Sequence, residues 1–148
     1  MQIRAFEARD EPAVIQLWDR CGLLRPWNDP HKDIARKLRV RPDLFLVGLE
    51  GQRLVASLMA GYEGHRGWLN YLAVDPGYQR RGLARLLVAE AERLLRDAGC
   101  PKVSLQVRVS NTGAMEFYRR VGYTVDEVVS MGKRLESDMP TAGTASAP

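Results

Sequence analysis

Val74-Asp75-Pro76-Gly77-Tyr78-Gln79-Arg80-Arg81-Gly82-Leu83-Ala84 is the stretch on which the fold turns. An apolar run over 68–74 reads as a strand, and Asp75-Pro76-Gly77 stops it sharply. A long helix then starts at about Gly82. Leu83, Leu86, Leu87, Leu94 and Leu95 share one side of it, Ala91 fills the same face, and Gly99 suits a left-handed C-cap. Free N–H groups and the macrodipole make such a helix mouth an anion site. Gly82 lets backbone approach a phosphate with no Cβ in the way, small Ala84 keeps the next turn open, and Arg80 and Arg81 add directed guanidinium charge. A plain surface loop carrying two solvated arginines is the competing reading. Neither the dinucleotide Gly-x-Gly-x-x-Gly pattern nor a P-loop Gly-Lys-Ser/Thr is present.

Working outward, residues 3–7 alternate like a strand, and Asp10-Glu11-Pro12 starts a helix with Val14, Leu17, Trp18 and Cys21 on one face, closed by Gly22. Asp29 and Pro30 open a second, shorter helix with Ile34 and Leu38 as its stripe. Residues 44–49 and 54–60 flank Glu50-Gly51-Gln52 as a hairpin of largely buried strands. Residues 102–109 alternate cleanly through Val103, Leu105, Val107 and Val109. Asn111 then caps a helix carrying Ala114, Phe117, Tyr118 and Val121, closed by Gly122. Residues 123–125 and 128–134 read as final strands. The order β-α-α-β-β-β-α-β-α-β-β predicts an α/β domain, a mixed sheet with helices on its faces. It spans 1–136. Residues 137–148, with only Asp138 charged and no apolar period, read as a solvated, disordered tail.

The 148 residues are 45% hydrophobic and 27% charged, with a net charge of +4, ordinary for one globular domain. The basic balance favours an anionic partner. No apolar run reaches the roughly 20 residues that cross a bilayer. The start of the chain reads as strand rather than signal peptide, and a cytoplasmic protein is expected. Cys21 and Cys100 allow one disulfide at most, and His31 and His65 lack paired metal-ligand spacing, so no metal is expected. Arginines interleaved with acids such as Asp29, Asp33 and Glu90, and aromatics at only 7%, argue against nucleic acid.

Gln79-Arg80-Arg81-Gly82-Leu83-Ala84 resembles the Gln/Arg-x-x-Gly-x-Gly/Ala signature of the GNAT superfamily, the GCN5-related N-acetyltransferases. Asn111, Ala114, Phe117-Tyr118 and Gly122-Tyr123 resemble its second signature, and the likeness covers residues 3–135. Within the superfamily, residues 23–30, 61–67 and 131–135 are similar to the bacterial YpeA-like acetyltransferases. The resemblance implies a mostly antiparallel sheet of six to seven strands, flanked by about four helices and splayed between strands 4 and 5. It implies acetyl-CoA as co-substrate and an amine, small molecule or peptide, as acceptor. The pyrophosphate would lie on the N–H groups of Arg80, Arg81, Gly82, Leu83 and Ala84, beside Gln79. The pantetheine would run along Leu72, Ala73 and Val74 like an added strand, with Asn111 close to the cofactor. No membrane partner is implied, and a homodimer is compatible with it.

The chemistry sets its own demands. A lysine-type amine, of pKa about 10.4, must lose a proton before it attacks. The oxyanion needs a donor, for which an N–H near Ala73 or Val74 is suitable. The leaving thiolate, of a thiol with pKa near 8.5, departs more easily if protonated. Tyr118 is the candidate acid, or alternatively a core tyrosine. Glu63 and His65, in a glycine-bounded loop, compete with a water relay as base, because Asn70 stands where many family members carry an acid. Asn111 is also a plain N-cap. Trp27 and Asn28 lie on a loop that in the family lines the acceptor side, with Trp27 either exposed there or packed as a staple. Arg25, Lys32, Arg36, Lys37, Arg39 and Arg41 crowd the second helix, and would suit an anionic acceptor if they face it. The alternative function is a non-catalytic acyl-CoA sensor, which needs neither Tyr118 nor a base.

Overall fold

The structure is a computed structural model and describes residues 1–139. Its elements are β1 (Gln2–Ala5), α1 (Glu11–Arg20), α2 (Pro30–Lys37), β2 (Phe45–Glu50), β3 (Arg53–Tyr62), β4 (Gly67–Val74), α3 (Leu83–Asp97), β5 (Val103–Leu105) and α4 (Thr112–Arg120). The strands form one sheet in the order β1-β2-β3-β4-β5, antiparallel throughout except for the parallel pair β4–β5.

Both faces of the sheet are covered, so the central strands are apolar on successive residues rather than alternate ones. On β2, Phe45 and Val47 pack toward Val14, Leu17 and Trp18 of α1 and Ile34 of α2. Leu46 packs the other way, with Val55, Leu58 and Ala60 of β3, against Leu83, Leu87, Val88, Ala91 and Leu95 of α3. Complete burial of each such aliphatic side chain is worth about 1.5–3 kcal/mol. This stripe holds α3 to the sheet and thereby fixes the loop that precedes it.

The helix starts follow local chemistry. Asp29 accepts a hydrogen bond from the His31 N–H at 2.9 Å with Pro30 in the first helical position. At α1, Asp10 makes no side-chain cap. Its carboxylate is held by the Arg4 guanidinium at 2.7 and 3.0 Å and by the Glu7 N–H at 2.8 Å.

Three expectations are corrected. Among the described residues the sheet has five strands, not six to seven. The alternating stretch 102–109 is strand only over Val103–Leu105, and residues 123–125 and 128–134 form no strand. Past Leu105 the chain leaves β4, so no ladder is offered to the later segment. Val125, Val128 and Val129 accordingly stay exposed. Among the described residues, side chains flanking β5 hold that segment, Lys102 to Asp126 at 2.9 Å and Gln106 Nε2 to Ser130 Oγ. The reading of 137–148 as solvated also fails at Asp138, which is buried and ion-paired. Residues 140–148 lie outside the described part.

Candidate active site

The site begins with a defect in β4. Between the pairs Met59↔Asn70 and Ser57↔Ala73, β4 spends two residues, Tyr71 and Leu72, against the single Leu58 of β3. Such a bulge bends the strand and re-aims its side chains. Tyr71 takes a left-handed φ of 54° to do so. Ser57, fully buried, accepts from the Trp18 indole N–H at 2.9 Å and donates to the Tyr71 carbonyl at 2.9 Å. The Tyr71 ring stacks on Trp18 with centroids 3.8 Å apart, and its hydroxyl donates to Asp33 of α2 at 2.7 Å. Burial and the Asp33 carboxylate raise the Tyr71 pKa well above the usual phenol range.

β4 and β5 pair only over Gly67↔Val103 to Leu69↔Leu105. Beyond Leu69 they part, and a cleft of about 670 Å³ opens there. Asn70, Tyr71, Leu72, Asn111 and Tyr118 line it, with Arg25, Arg36 and Lys37 on the α1–α2 side and Arg108 from the segment after β5. A larger cleft of about 1470 Å³ lies between β5, α4 and residues 121–131, and Asn70 and Tyr118 border both. Among the described residues no group of three His, Cys, Asp or Glu side chains is placed to hold a metal.

Tyr118 sits edge-on to Phe117 and Tyr123 at 5.1 and 5.6 Å. Burial pushes its phenol up to about 12. Its hydroxyl has no protein hydrogen-bond partner among the described residues, yet is not sealed from solvent. A neutral phenol that is free to donate is what the acid role requires. Asn111 caps α4 through the Ala114 N–H at 3.1 Å and also borders the cleft.

The loop after β4 is shaped by its own residues. Asp75, buried, accepts from the Gly77 N–H at 2.9 Å and pairs with Arg20 at 2.9 Å and Arg53 at 3.3 Å. Gln79 Nε2 donates to the Val74 carbonyl at 3.1 Å, pinning the turn to the strand end. Arg80 and Gly82 then take left-handed φ values of 64° and 78°. Among the described residues no protein acceptor takes the backbone N–H of Arg80, Arg81, Gly82, Leu83 or Ala84. A Cβ built on Gly82 meets nothing within 4 Å, so the space on that side of Gly82 is open. Leu83 is buried and anchors the helix behind them, while the Arg81 guanidinium folds over the Tyr78 ring at 4.9 Å.

The structure therefore brings Leu72, Asn111 and Tyr118 to one cleft. Ala73, Val74 and residues 79–84 border neither cleft and continue along β4 into the loop. Glu63 stands apart from Tyr118. Its carboxylate accepts from the N–H groups of Arg66 and His65, which hold it below the usual carboxylate range, and neither Glu63 nor His65 lines either of these two clefts. Trp27 is 43% exposed beneath the Arg108 guanidinium, 5.4 Å away, rather than buried as a staple. Of the six basic residues around α2, Arg25, Arg36 and Lys37 reach the cleft, whereas Lys32, Arg39 and Arg41 do not. Sequence reasoning missed Tyr71, Asp33 and Ser57. A single serine in the apolar run 54–60 was the available signal, since a hydroxyl inside such a strand needs partners.

The family model described as Acetyltransferase (GNAT) family matches residues 10–123. An acetyltransferase of Pectobacterium atrosepticum is 47% identical over 138 residues, covering 93% of this chain and 98% of its own. The ribosomal-protein-S18-alanine N-acetyltransferase of Escherichia coli is 27% identical, with a TM-score of 0.69 over 82% of this chain and 76% of its own. AAC(6')-Iy, in complex with a bisubstrate analogue of CoA, is 18% identical, with a TM-score of 0.73 over 90% of this chain and 97% of its own, a likeness of fold alone. The parted strands, the unspent N–H groups and these relatives agree: the chain belongs to the GNAT acetyltransferase family, whose co-substrate is acetyl-CoA.

Proposed function

We propose that this acyltransferase moves the acetyl group of acetyl-CoA directly to a primary amine, of a small molecule or a peptide, within a ternary complex. The observation that carries this reading is the row of unspent N–H groups from Arg80 to Ala84, lying at the end of the strand that leads back to Tyr118. The diphosphate would sit on that row, where backbone donors and the dipole of α3 favour negative charge. The pantetheine would extend along Val74, Ala73 and Leu72 beside the free edge of β4, with Gln79 holding the strand end and Asn111 flanking the cleft. The amine nitrogen attacks the thioester carbonyl, and the tetrahedral oxyanion draws on an N–H of the 72–74 segment. As the C–S bond breaks, the Tyr118 hydroxyl gives its proton to the departing thiolate. Because Glu63 is committed to its own turn, the proton of the ammonium leaves through water at the cleft, where Asn70 replaces an acid.

The test is calorimetric titration with acetyl-CoA, followed by free-thiol release against a panel of amines. Micromolar binding with thiol release dependent on one acceptor class is expected. Absence of binding defeats the reading, and binding with no turnover on any amine leaves a sensor.

A further inference from the structure

We propose that Arg36 is the anion anchor of the acceptor site, that the acceptor is an amine bearing a carboxylate, and that Asp138 holds the acceptor's place in the free chain. This rests on the acetyl-transfer reading above and names its acceptor class.

The Arg36 guanidinium grips Asp138 with both arms, Nη2 to Oδ1 at 2.6 Å and Nη1 to Oδ2 at 3.1 Å. The backbone N–H of Asp29 donates to Oδ2 at 2.9 Å, and Arg134 lies 3.2 Å away. A forked guanidinium plus a backbone N–H is a carboxylate receptor of the strong, charge-assisted kind. These contacts hold the Asp138 carboxyl far below the usual range. What is drawn in is the carboxylate and not the segment. The Asp138 side chain is wholly covered, while Leu135 is 91% and Met139 49% exposed. A tail that docked for hydrophobic reasons would bury the leucine and the methionine first.

Arg36 also borders the cleft that holds Asn70, Tyr71 and Tyr118, so the guanidinium that grips Asp138 on one side faces the reacting region on the other, while Asp138 itself lies outside the cleft lining. The charge of that space points the same way. Asp33 is its one lining carboxylate, and its oxygens are taken by the Tyr71 hydroxyl and by Arg36. Lys37 and Arg108 line it with no carboxylate partner among the described residues. A purely cationic amine would meet this excess positive charge unshielded, whereas an amine that carries its own carboxylate is balanced.

Thiol release would be measured with acetyl-CoA and matched acceptor pairs. Free amino acids would be set against their amides, and short peptides beginning with Asp or Glu against those beginning with Asn or Gln. These arms separate a free amino acid from an acidic peptide as the source of the carboxylate. The acid of one pair should exceed its amide by about tenfold or more in kcat/KM, the range of a charge-assisted bond. Asp138→Asn should lower KM for that acid, because the internal competitor has lost its charge. Arg36→Lys, which keeps the charge but loses the fork, should raise KM toward that of the amide at unchanged acetyl-CoA affinity. Titrated by calorimetry, succinate should bind Asp138→Asn and not the unaltered chain. Equal rates on acids and amides, or an Asp138→Asn protein that melts normally but neither gains acid affinity nor binds succinate, would overturn the proposal. Either result with acetyl-CoA binding intact leaves the acetyl-transfer reading standing. Lost acetyl-CoA binding, or binding with no thiol release on any amine, removes that reading.

Discussion

The Ser57 hydroxyl donates to the Tyr71 carbonyl at 2.9 Å while accepting from the Trp18 indole N–H at the same distance. One buried oxygen thus satisfies two polar groups at the point where β4 bulges. Ser57→Ala removes both bonds without changing the packing much. Each buried group left unpaired costs about 1–3 kcal/mol. The melting temperature should fall by several degrees, at about 2–4 °C per kcal/mol for a domain of this size. The KM for acetyl-CoA should rise with it, because the bulge sets the direction of Leu72 and Ala73. A scanning-calorimetry midpoint within a degree of the parent would show that the bulge is held by other contacts.

Gly82 separates two effects that are usually confounded. Its φ of 78° lies in the left-handed region, where a side chain costs about 1–2 kcal/mol. The space around its Cα is open, so Gly82→Ala carries that backbone strain and no clash. Gly82→Glu adds a carboxylate where the diphosphate would lie. Calorimetry should show acetyl-CoA affinity reduced modestly in the alanine variant and abolished in the glutamate variant. Equal affinities in the two would place the diphosphate elsewhere.

Tyr118→Phe tests the acid. General acid catalysis of this sort is worth about 10²–10⁴-fold, so kcat should fall by at least about a hundredfold while the acetyl-CoA dissociation constant holds. Because burial raises this phenol to about 12, it remains largely protonated and able to donate through pH 10. The rate of the unaltered enzyme should therefore not decline between pH 9 and 10 through loss of this proton. A decline in that interval that vanishes in the phenylalanine variant would contradict the assignment.

The parts of the molecule legible in its sequence are those where local chemistry and burial agree. Of the stripe Leu83, Leu86, Leu87, Ala91, Leu94 and Leu95, which reads as one buried helix face, Leu83, Leu87, Ala91 and Leu95 are buried, Leu94 is partly so and Leu86 is exposed. Asp29-Pro30 and Asn111 read as helix starts and both cap. The row 79–84 reads as a tight, glycine-dependent helix mouth, and its backbone adopts that shape. The alternation over 128–134 misleads, since a period of two says which residues could share a face but not whether a partner strand will offer one. The bulge at Tyr71 was illegible for a related reason. It arises from the pairing of two strands and from a serine 14 residues away, neither of which leaves a local mark. Asp138 was read as solvated because its partner Arg36 is 102 residues distant.

Asp75 links stability to the binding loop through a single carboxylate. The Gly77 N–H, chiefly, with Arg53 and Arg20, holds its pKa below the ordinary value. A carboxylate whose pKa is depressed on folding stabilises the native state above its unfolded pKa of about 3.9, and that contribution is lost as pH falls through the native value. Asp10, held by Arg4 and the Glu7 N–H, shifts in the same direction. Thermal midpoints measured from pH 7 to pH 2 should be level above pH 5 and fall below pH 4. Asp75→Asn keeps the shape but not the charge, so it should melt lower than the parent at neutral pH and approach it near pH 2. Its acetyl-CoA affinity at pH 7 should drop as well, because the turn that aims residues 79–84 loses its tie to Arg20 and Arg53. A gap between parent and variant that is the same at pH 2.5 as at pH 7 would show that packing, and not the carboxylate charge, makes the contribution.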